Sequence, residues 1–126
     1  MDKEKIFKQL LDCSFIIHSS LGPGLLESAY EECLFYELKN LGFFVRKRVP
    51  MPLVYKEIKL DAGYRVDLLL EDSIIVEVKS VESLCDIHLA QILTYLKLSG
   101  CNLGLLVNFK VSHLKDGIRK IVLWNI

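Results

Sequence analysis

Residues 64–80 read YRVDLLLEDSIIVEVKS, two aliphatic runs on either side of a short polar segment. Two such runs separated by a few turn-forming residues are typical of a β-hairpin. Asp67 and Glu77 each lie five residues from Asp72, so a symmetric hairpin places their side chains opposite each other on one face. Lys79 follows Glu77 by two positions and points to the same face. The sequence therefore predicts two carboxylates and an amine gathered on one face of a sheet.

The two carboxylates of this hairpin need a compensating partner, because like charges directly opposite each other destabilise a pair of strands. A divalent cation is one such partner, since hard cations bind carboxylate oxygens. The alternative is a salt-bridge cluster on an open sheet face, in which Lys79 pairs with Asp67 and Glu77. The residues alone leave both interpretations open.

The composition describes a globular chain without an overall charge. Its 126 residues are 52% hydrophobic, and 16 basic residues balance 16 acidic ones. This composition supports one domain, residues 1–126, with a core, and excludes a strong overall attraction to nucleic acid. Residues 46–65 nevertheless contain six basic and two acidic side chains, whereas residues 66–100 contain two basic and six acidic ones. An acidic pocket beside a basic strip suits a metal beside phosphates; the alternative is a solvated edge strand.

The four cysteines form no CxxC pair, which argues against a zinc knuckle or a redox motif. The N-terminal residues do not resemble a signal peptide, and no apolar run approaches the length of a membrane span. These features predict a cytoplasmic protein that has no contact with a membrane and keeps its four thiols reduced and buried.

Periodicity and turn residues divide the chain into alternating elements. Pro50 and Pro52 indicate a bent or edge pair of strands before the hairpin. A helix and an apolar strand follow the hairpin directly, which predicts a right-handed parallel crossover. The predicted helices are 3–19, 25–41 and 84–98, and the predicted strands outside the hairpin are 43–49, 51–56, 101–109 and 118–126.

The second predicted helix begins with a carboxylate, Glu27, on a face that continues through Tyr30, Leu34 and Leu38. An unpaired Glu is rarely tolerated on an apolar stripe, so this residue is a candidate for the same site. The alternative is that Glu27 stays in water and favours the helix dipole from the first turn.

The order of these elements and acids resembles the PD-(D/E)xK nuclease superfamily, which has a mixed α/β, restriction-endonuclease-like fold. More narrowly, the chain resembles small bacterial and archaeal proteins named for a GxxExxY motif, which here is GLLESAY at residues 24–30. The blocks that carry the resemblance are residues 21–24, 64–67, 77–79, 88–91, 95–96 and 104–109.

The resemblance implies a metal site and a set of roles. Asp67 and Glu77 would bind Mg²⁺ (or Mn²⁺) directly, and the backbone carbonyl of Val78 would complete the protein ligands. Lys79 would orient or deprotonate the attacking water. Glu27 would be the acid from the first core helix.

Other residues match the family blocks or the basic strip with less defined roles. Gln91, on the third helix, would help to position the site. Tyr30 and His88 match motif positions, for which the alternatives are packing with a satisfied hydroxyl and a hydrogen-bonded helix residue. Arg46-Lys47-Arg48 would contact phosphates, or serve only solubility.

Two functions from different classes follow from these features. The first is a metal-dependent nuclease acting on DNA, with RNA not excluded. The second is a non-catalytic module that keeps the fold to bind nucleic acid or a protein. We also expect a homodimer, because the chain ends in the apolar residues Val122, Leu123, Trp124 and Ile126 and exposed apolar patches mark interfaces.

Overall fold

The computed structural model describes residues 2–61 and 63–124, and the elements named below are those of these residues. The hairpin of residues 64–80 is the centre of a larger sheet. The elements are α1 (Lys3–Leu21), α2 (Glu27–Asn40), β1 (Val45–Pro50), β2 (Leu53–Tyr55), β3 (Ile58–Leu60), β4 (Arg65–Leu70), β5 (Ile74–Lys79), α3 (Asp86–Ser99), β6 (Leu103–Asn108), a 3₁₀ helix (Leu114–Gly117) and β7 (Ile118–Val122).

The main sheet has the strand order β1-β4-β5-β6-β7. β1, β4 and β5 pair antiparallel, β6 pairs parallel to β5, and β7 pairs antiparallel to β6. The parallel pair is connected through α3, as the sequence predicts. The result is a mixed α/β fold consistent with the restriction-endonuclease-like architecture.

The β4–β5 hairpin has the register that its symmetry predicts. Leu68 lies opposite Val76 and Leu70 opposite Ile74, and Asp67 and Glu77 are the next residues along the two strands. The turn uses left-handed backbone at Glu71 and Asp72, with φ of 53° and 50°. Asp is one of the few side chains that tolerate this region.

Helices cover both faces of the sheet, because its strands alternate apolar side chains between two cores. Leu68, Leu70 and Val76 face the core beneath α1 and α2. Leu69 and Ile75 face the core beneath α3. The ends of β4 and β5 therefore lie between two helical layers.

Several sequence expectations are corrected. The strand predicted at 51–56 joins β3, which the sequence analysis missed, in a separate antiparallel hairpin of residues 53–60, here called the arm. In the turn between its strands, Lys56 has a φ of 53°. This left-handed backbone is usually signalled in a sequence by a glycine, and here it is taken by a lysine. The last strand ends at Val122, Trp124 is 79% exposed, and Ile126 lies outside the described residues.

The cysteines also differ from the prediction. Cys13 and Cys101 are buried, Cys33 is partly buried and Cys85 is exposed. Cys85 is the N-cap residue of α3. All four are free thiols. Among the described residues, no helix combines the length and the apolar character needed to cross a membrane.

The loop after β6 packs against Asn108, which also fixes the segment after β5. The Asn108 side chain accepts a hydrogen bond from Val81 N at 3.0 Å and donates one to Val81 O at 2.9 Å. A Cβ at Gly117 would lie 2.1 Å from Asn108 O. Gly117 therefore permits a close approach that holds both loops.

We expect Gly117→Ala to lower the free energy of unfolding by about 1–3 kcal/mol, as other overpacked sites do. Gly24→Ala is the matched control, because its Cβ would have no neighbour within 4 Å, and it should change stability by less than about 1 kcal/mol. Urea unfolding of both variants measures the difference. Equal stability of the two variants would contradict the close packing at Gly117.

Candidate active site

Asp67 and Glu77 are brought together by reciprocal hydrogen bonds across the hairpin. Asp67 N donates to Glu77 Oε2 at 2.8 Å, and Val78 N donates to Asp67 Oδ2 at 2.8 Å. Each carboxylate thus receives a backbone N–H from the opposite strand. Glu77 is 3% exposed and Asp67 is partly buried.

A local irregularity in β1 and β4 positions this pair. Lys47 lies opposite Leu68 and Val49 opposite Val66, and Arg48, between them, has a φ of 54°. Val66 packs under α3 although Leu68 packs under α2, so the strand changes face at Asp67. This change places the Asp67 carboxylate where both helical layers reach it.

Burial and like charge raise the pKa values of both carboxyl groups. The pKa of Glu77 rises to about 8, first because it is buried and then because Asp67 lies beside it. Burial also raises the pKa of Asp67, against the opposing effects of the Val78 N–H and the Lys79 charge. The pair is therefore a buried site that a cation would stabilise.

Glu27 is anchored beside the pair and does not extend into bulk water. Its Oε2 accepts a hydrogen bond from Ser80 N at 3.0 Å, and its charge contributes to raising the pKa of Asp67. Ser80 Oγ also donates to Leu25 O at 2.9 Å. These contacts join the start of α2 to the end of β5, beside an open cleft of about 530 Å³ that Lys110 also lines.

Glu31 is a site residue that the sequence analysis missed. It lies one helical turn after Glu27 and is 7% exposed. Its buried Oε1 has no hydrogen-bond partner among the described residues and lies 3.5 Å from Arg48 Nε. Burial, followed by the charge of Asp67, raises its pKa. The signal was present, because a second acid four residues after Glu27 extends the same helix face.

Lys79 is half-buried at the end of β5, and its charge lowers the pKa values of both Asp67 and Glu77. It has no salt bridge within the described ranges. The salt-bridge cluster is therefore not formed in this structure, and the amine is available to another group at the site.

Gln91 is exposed on α3 and lines a separate cavity with Tyr95. Tyr95 is 4% exposed, and its pKa is raised by burial and then by the charges of Glu77 and Asp67. Gln91 therefore lies on the α3 side of the site. It is one helical turn from Tyr95, whose pKa responds to the charges of the two carboxylates.

Tyr30 has a structural position that does not fit the expected contact with nucleic acid. It is fully buried and stacks on Phe109 with 4.3 Å between ring centroids. Its hydroxyl accepts a hydrogen bond from Leu25 N at 3.0 Å and donates one to Gly22 O. Tyr30 thus fixes the loop that precedes Glu27. This position agrees with the alternative interpretation, in which the ring packs in the core and its hydroxyl is hydrogen-bonded.

His88 serves the start of α3. Its Nδ1 accepts a hydrogen bond from Cys85 N at 3.1 Å, so the ring caps the helix. The imidazole is only partly buried, and a contact with nucleic acid stays a prediction.

The basic strip of β1 is paired with acids from other elements. The ion pairs are Arg46–Asp72 at 2.6 Å, Lys47–Glu32 at 2.9 Å and Arg48–Glu31 at 3.5 Å. The basic side chains stay 40–64% exposed. A phosphate contact would have to compete with these acids, and it stays a prediction.

The site residues fit a hydrated divalent cation. Four carboxylates face two cationic side chains here: Glu27, Glu31, Asp67 and Glu77 against Arg48 and Lys79. Within the described residues, no three His, Cys, Asp or Glu side chains converge as a metal cage. Mg²⁺ needs only one or two carboxylates because it keeps several waters, so Asp67, Glu77 and the Val78 carbonyl would suffice.

Comparison with known protein families finds a match to a family model described as the PD-(D/E)XK nuclease superfamily, over residues 4–121. The matched range includes all helix and strand residues of the fold except the first residue of α1 and the last residue of β7. Comparisons with the curated proteins and with the solved structures gave no match.

The raised pKa of Glu77 predicts that the metal-free protein loses stability as the pH rises. Between about pH 4.5 and about pH 8, the unfolded chain has released the Glu77 proton and the folded protein retains it. Raising the pH through this interval therefore favours unfolding. Urea unfolding in EDTA should show this decline, and Glu77→Gln should remove most of it.

Glu57→Gln, at an exposed position on the arm, is the control and should keep the wild-type pH profile. A Glu77→Gln variant whose stability changes with pH as steeply as that of the wild type would disprove the assignment to Glu77.

Proposed function

Since the chain belongs to the PD-(D/E)XK nuclease superfamily, we propose that it is a metal-dependent nuclease that hydrolyses phosphodiester bonds, primarily in DNA, with RNA as a second substrate to be tested. The observation that carries this proposal is the Asp67–Glu77 pair. Both groups have raised pKa values, and each has one oxygen held by backbone N–H.

The pair is costly for the protein unless it binds something. Burial and proximity raise the pKa values of both carboxyl groups and so oppose their ionisation, and a site with this arrangement is often kept for function. Mg²⁺ or Mn²⁺ bound there would polarise the phosphate and lower the pKa of a coordinated water. Asp67, Glu77 and the Val78 carbonyl are the groups that would hold it.

Lys79 and Glu27 complete the proposed chemistry. Lys79 is half-buried, its charge acts on both carboxyl groups, and it would donate hydrogen bonds to the attacking water or to the phosphate. Glu27 is held in place by Ser80 N and would accept hydrogen bonds from waters around the cation. Gln91 would contact the substrate from the α3 side.

The second candidate is a non-catalytic module that binds nucleic acid or a protein. The case for a module that binds nucleic acid is weakened by the ion pairs of Arg46, Lys47 and Arg48, because acids already partly neutralise these charges. A module without catalysis also gains nothing from carboxylates that repel each other. Cleavage separates the two candidates directly.

We expect Mg²⁺- or Mn²⁺-dependent cleavage in an assay on single- and double-stranded DNA and RNA, and none in EDTA. Lys79→Ala should lower the rate by about 10²-fold or more, since proton transfer by a placed group contributes on this scale. Lys97→Ala, on the outer part of α3, is the matched control and should cleave like the wild type. Equal rates for both variants would contradict the role of Lys79.

Stabilisation by the metal tests the metal site even if the natural substrate is missing from the cleavage assay. At Mg²⁺ concentrations of about 100 times its Kd, the wild type should gain about 2.7 kcal/mol in unfolding free energy. Asp67→Asn should gain little, because one of the two carboxylate ligands is lost. A wild type whose stability responds to neither Mg²⁺ nor Mn²⁺ would defeat the metal site, and with it the proposed mechanism.

We propose that the protein acts in the cytoplasm as a homodimer. β7 is an edge strand of the main sheet, Val122 at its end is 38% exposed, and Trp124 is 79% exposed. Pairing of two copies through this edge would bury both side chains. Light scattering should give twice the chain mass for the wild type and a lower mass for Trp124→Ser. A monomer mass for the wild type at high concentration would overturn the dimer.

A further inference from the structure

A second cavity lies on the α3 face of the sheet, beside the arm. Its volume is about 250 Å³, just below the range of about 300–1,000 Å³ typical of small-molecule sites. A cavity of this size suits a single ring system and not an extended chain. It is lined by Leu53, Tyr64, Gln91, Thr94, Tyr95 and Leu98.

The lining combines aromatic surface with one versatile polar group. Tyr64 is 47% exposed and Tyr95 is 4% exposed, so one ring is accessible at the mouth and the other lies deeper. The Gln91 side-chain amide offers both donors and an acceptor. Thr94 donates its own hydroxyl proton to Ala90 O at 3.0 Å. A flat group with apolar faces and a hydrogen-bonding edge matches this set, and a nucleobase is such a group.

The cavity adjoins the carboxylates. Tyr64 precedes β4 and lies three residues before Asp67, about 10 Å along an extended strand. Tyr95 lies close enough to Glu77 and Asp67 for their charges to raise its pKa. A nucleic-acid strand whose phosphate lay at Asp67 and Glu77 would therefore bring a nearby base to the cavity.

The arm, whose Leu53 lines the cavity, also carries basic side chains. Lys56 and Lys59 have no salt bridge among the described residues, in contrast to the paired basic residues of β1. Arg65, at the base of the arm, pairs only loosely with Asp61 at 3.8 Å. These charges would attract a phosphate backbone, and aromatic rings beside a positive groove are how single strands are held.

We propose that this cavity receives one unpaired nucleobase of the substrate, so that the nuclease acts on single-stranded nucleic acid. The inference rests on the proposed nuclease function and adds the substrate class. A base stacked and paired in a duplex cannot enter the cavity without being flipped out, which costs free energy. An unpaired base enters without that cost.

Binding of fluorescent oligonucleotides to the full chain in EDTA tests the base site without cleavage. The probes are an oligothymidine, an abasic DNA of the same length, a single-stranded RNA and a DNA duplex. Loss of one stacked base should weaken binding by about 5- to 150-fold, so oligothymidine should bind more tightly than abasic DNA by this factor. Duplex should also bind more weakly than oligothymidine. Comparison of the RNA probe with the single-stranded DNA probe shows whether binding depends on the sugar.

Tyr64→Ala should remove the difference between oligothymidine and abasic DNA. Tyr36→Ala is the matched control, because it removes another exposed tyrosine, on α2, and it should keep the difference. Wild-type protein that binds abasic DNA as tightly as oligothymidine would overturn the base site, whether or not the variant folds. A Tyr64→Ala variant that folds and keeps the full difference would overturn it as well.

Cleavage of the same probes in Mg²⁺ separates this inference from the proposed function. If oligothymidine and abasic DNA are cleaved at the same rate and bound with the same affinity, the nuclease function is supported and the base site is disproved. Base-dependent binding without cleavage in Mg²⁺ or Mn²⁺ would keep the base site and remove the nuclease.

Discussion

The hydrogen bonds that the Asp67 and Glu77 carboxylates accept from backbone N–H groups across the hairpin are the constraint on which the site depends. Two carboxylates beside each other repel, and burial makes each charge more costly. Here each carboxylate accepts an N–H from the opposite strand, so the positions of the acids depend on the pairing of the two strands. Moving one strand by a single residue would separate the pair and turn the flanking aliphatic side chains to the wrong face.

The change of face at Arg48 and Asp67 connects this pair to the helices. A regular strand would direct Asp67 to one layer only. Because Arg48 takes left-handed backbone, Val49 and Val66 pack under α3 while Leu68 packs under α2. Glu31 therefore reaches the site from one layer and Tyr95 from the other. The irregular backbone is thus part of how the site is assembled, as strained positions at functional sites often are.

The sequence predicts the hairpin and its acids well, because the symmetry of residues 64–80 about Asp72 determines the register. It predicts the parallel strand too, since the connection through α3 has one favoured hand. It does not predict the change of face, which depends on a positive φ at an arginine. The arm was missed for a related reason, because the separation of the β2–β3 hairpin from the main sheet arises only when distant elements pack together. Glu31 was missed although its spacing from Glu27 places both acids on one helix face.

Contacts made by uncharged side chains hold the loops around the site in place against the repulsion between its carboxylates. Tyr30 holds the loop before Glu27 with two hydrogen bonds and a stacked ring. Asn108 holds the segment after Lys79 with two more. Neither side chain carries charge, so both keep their contacts whether the carboxylates are protonated, ionised or bound to a cation. The loops that carry Glu27 and Ser80 can therefore stay in place while the charge between them changes, which a site built from salt bridges alone could not do.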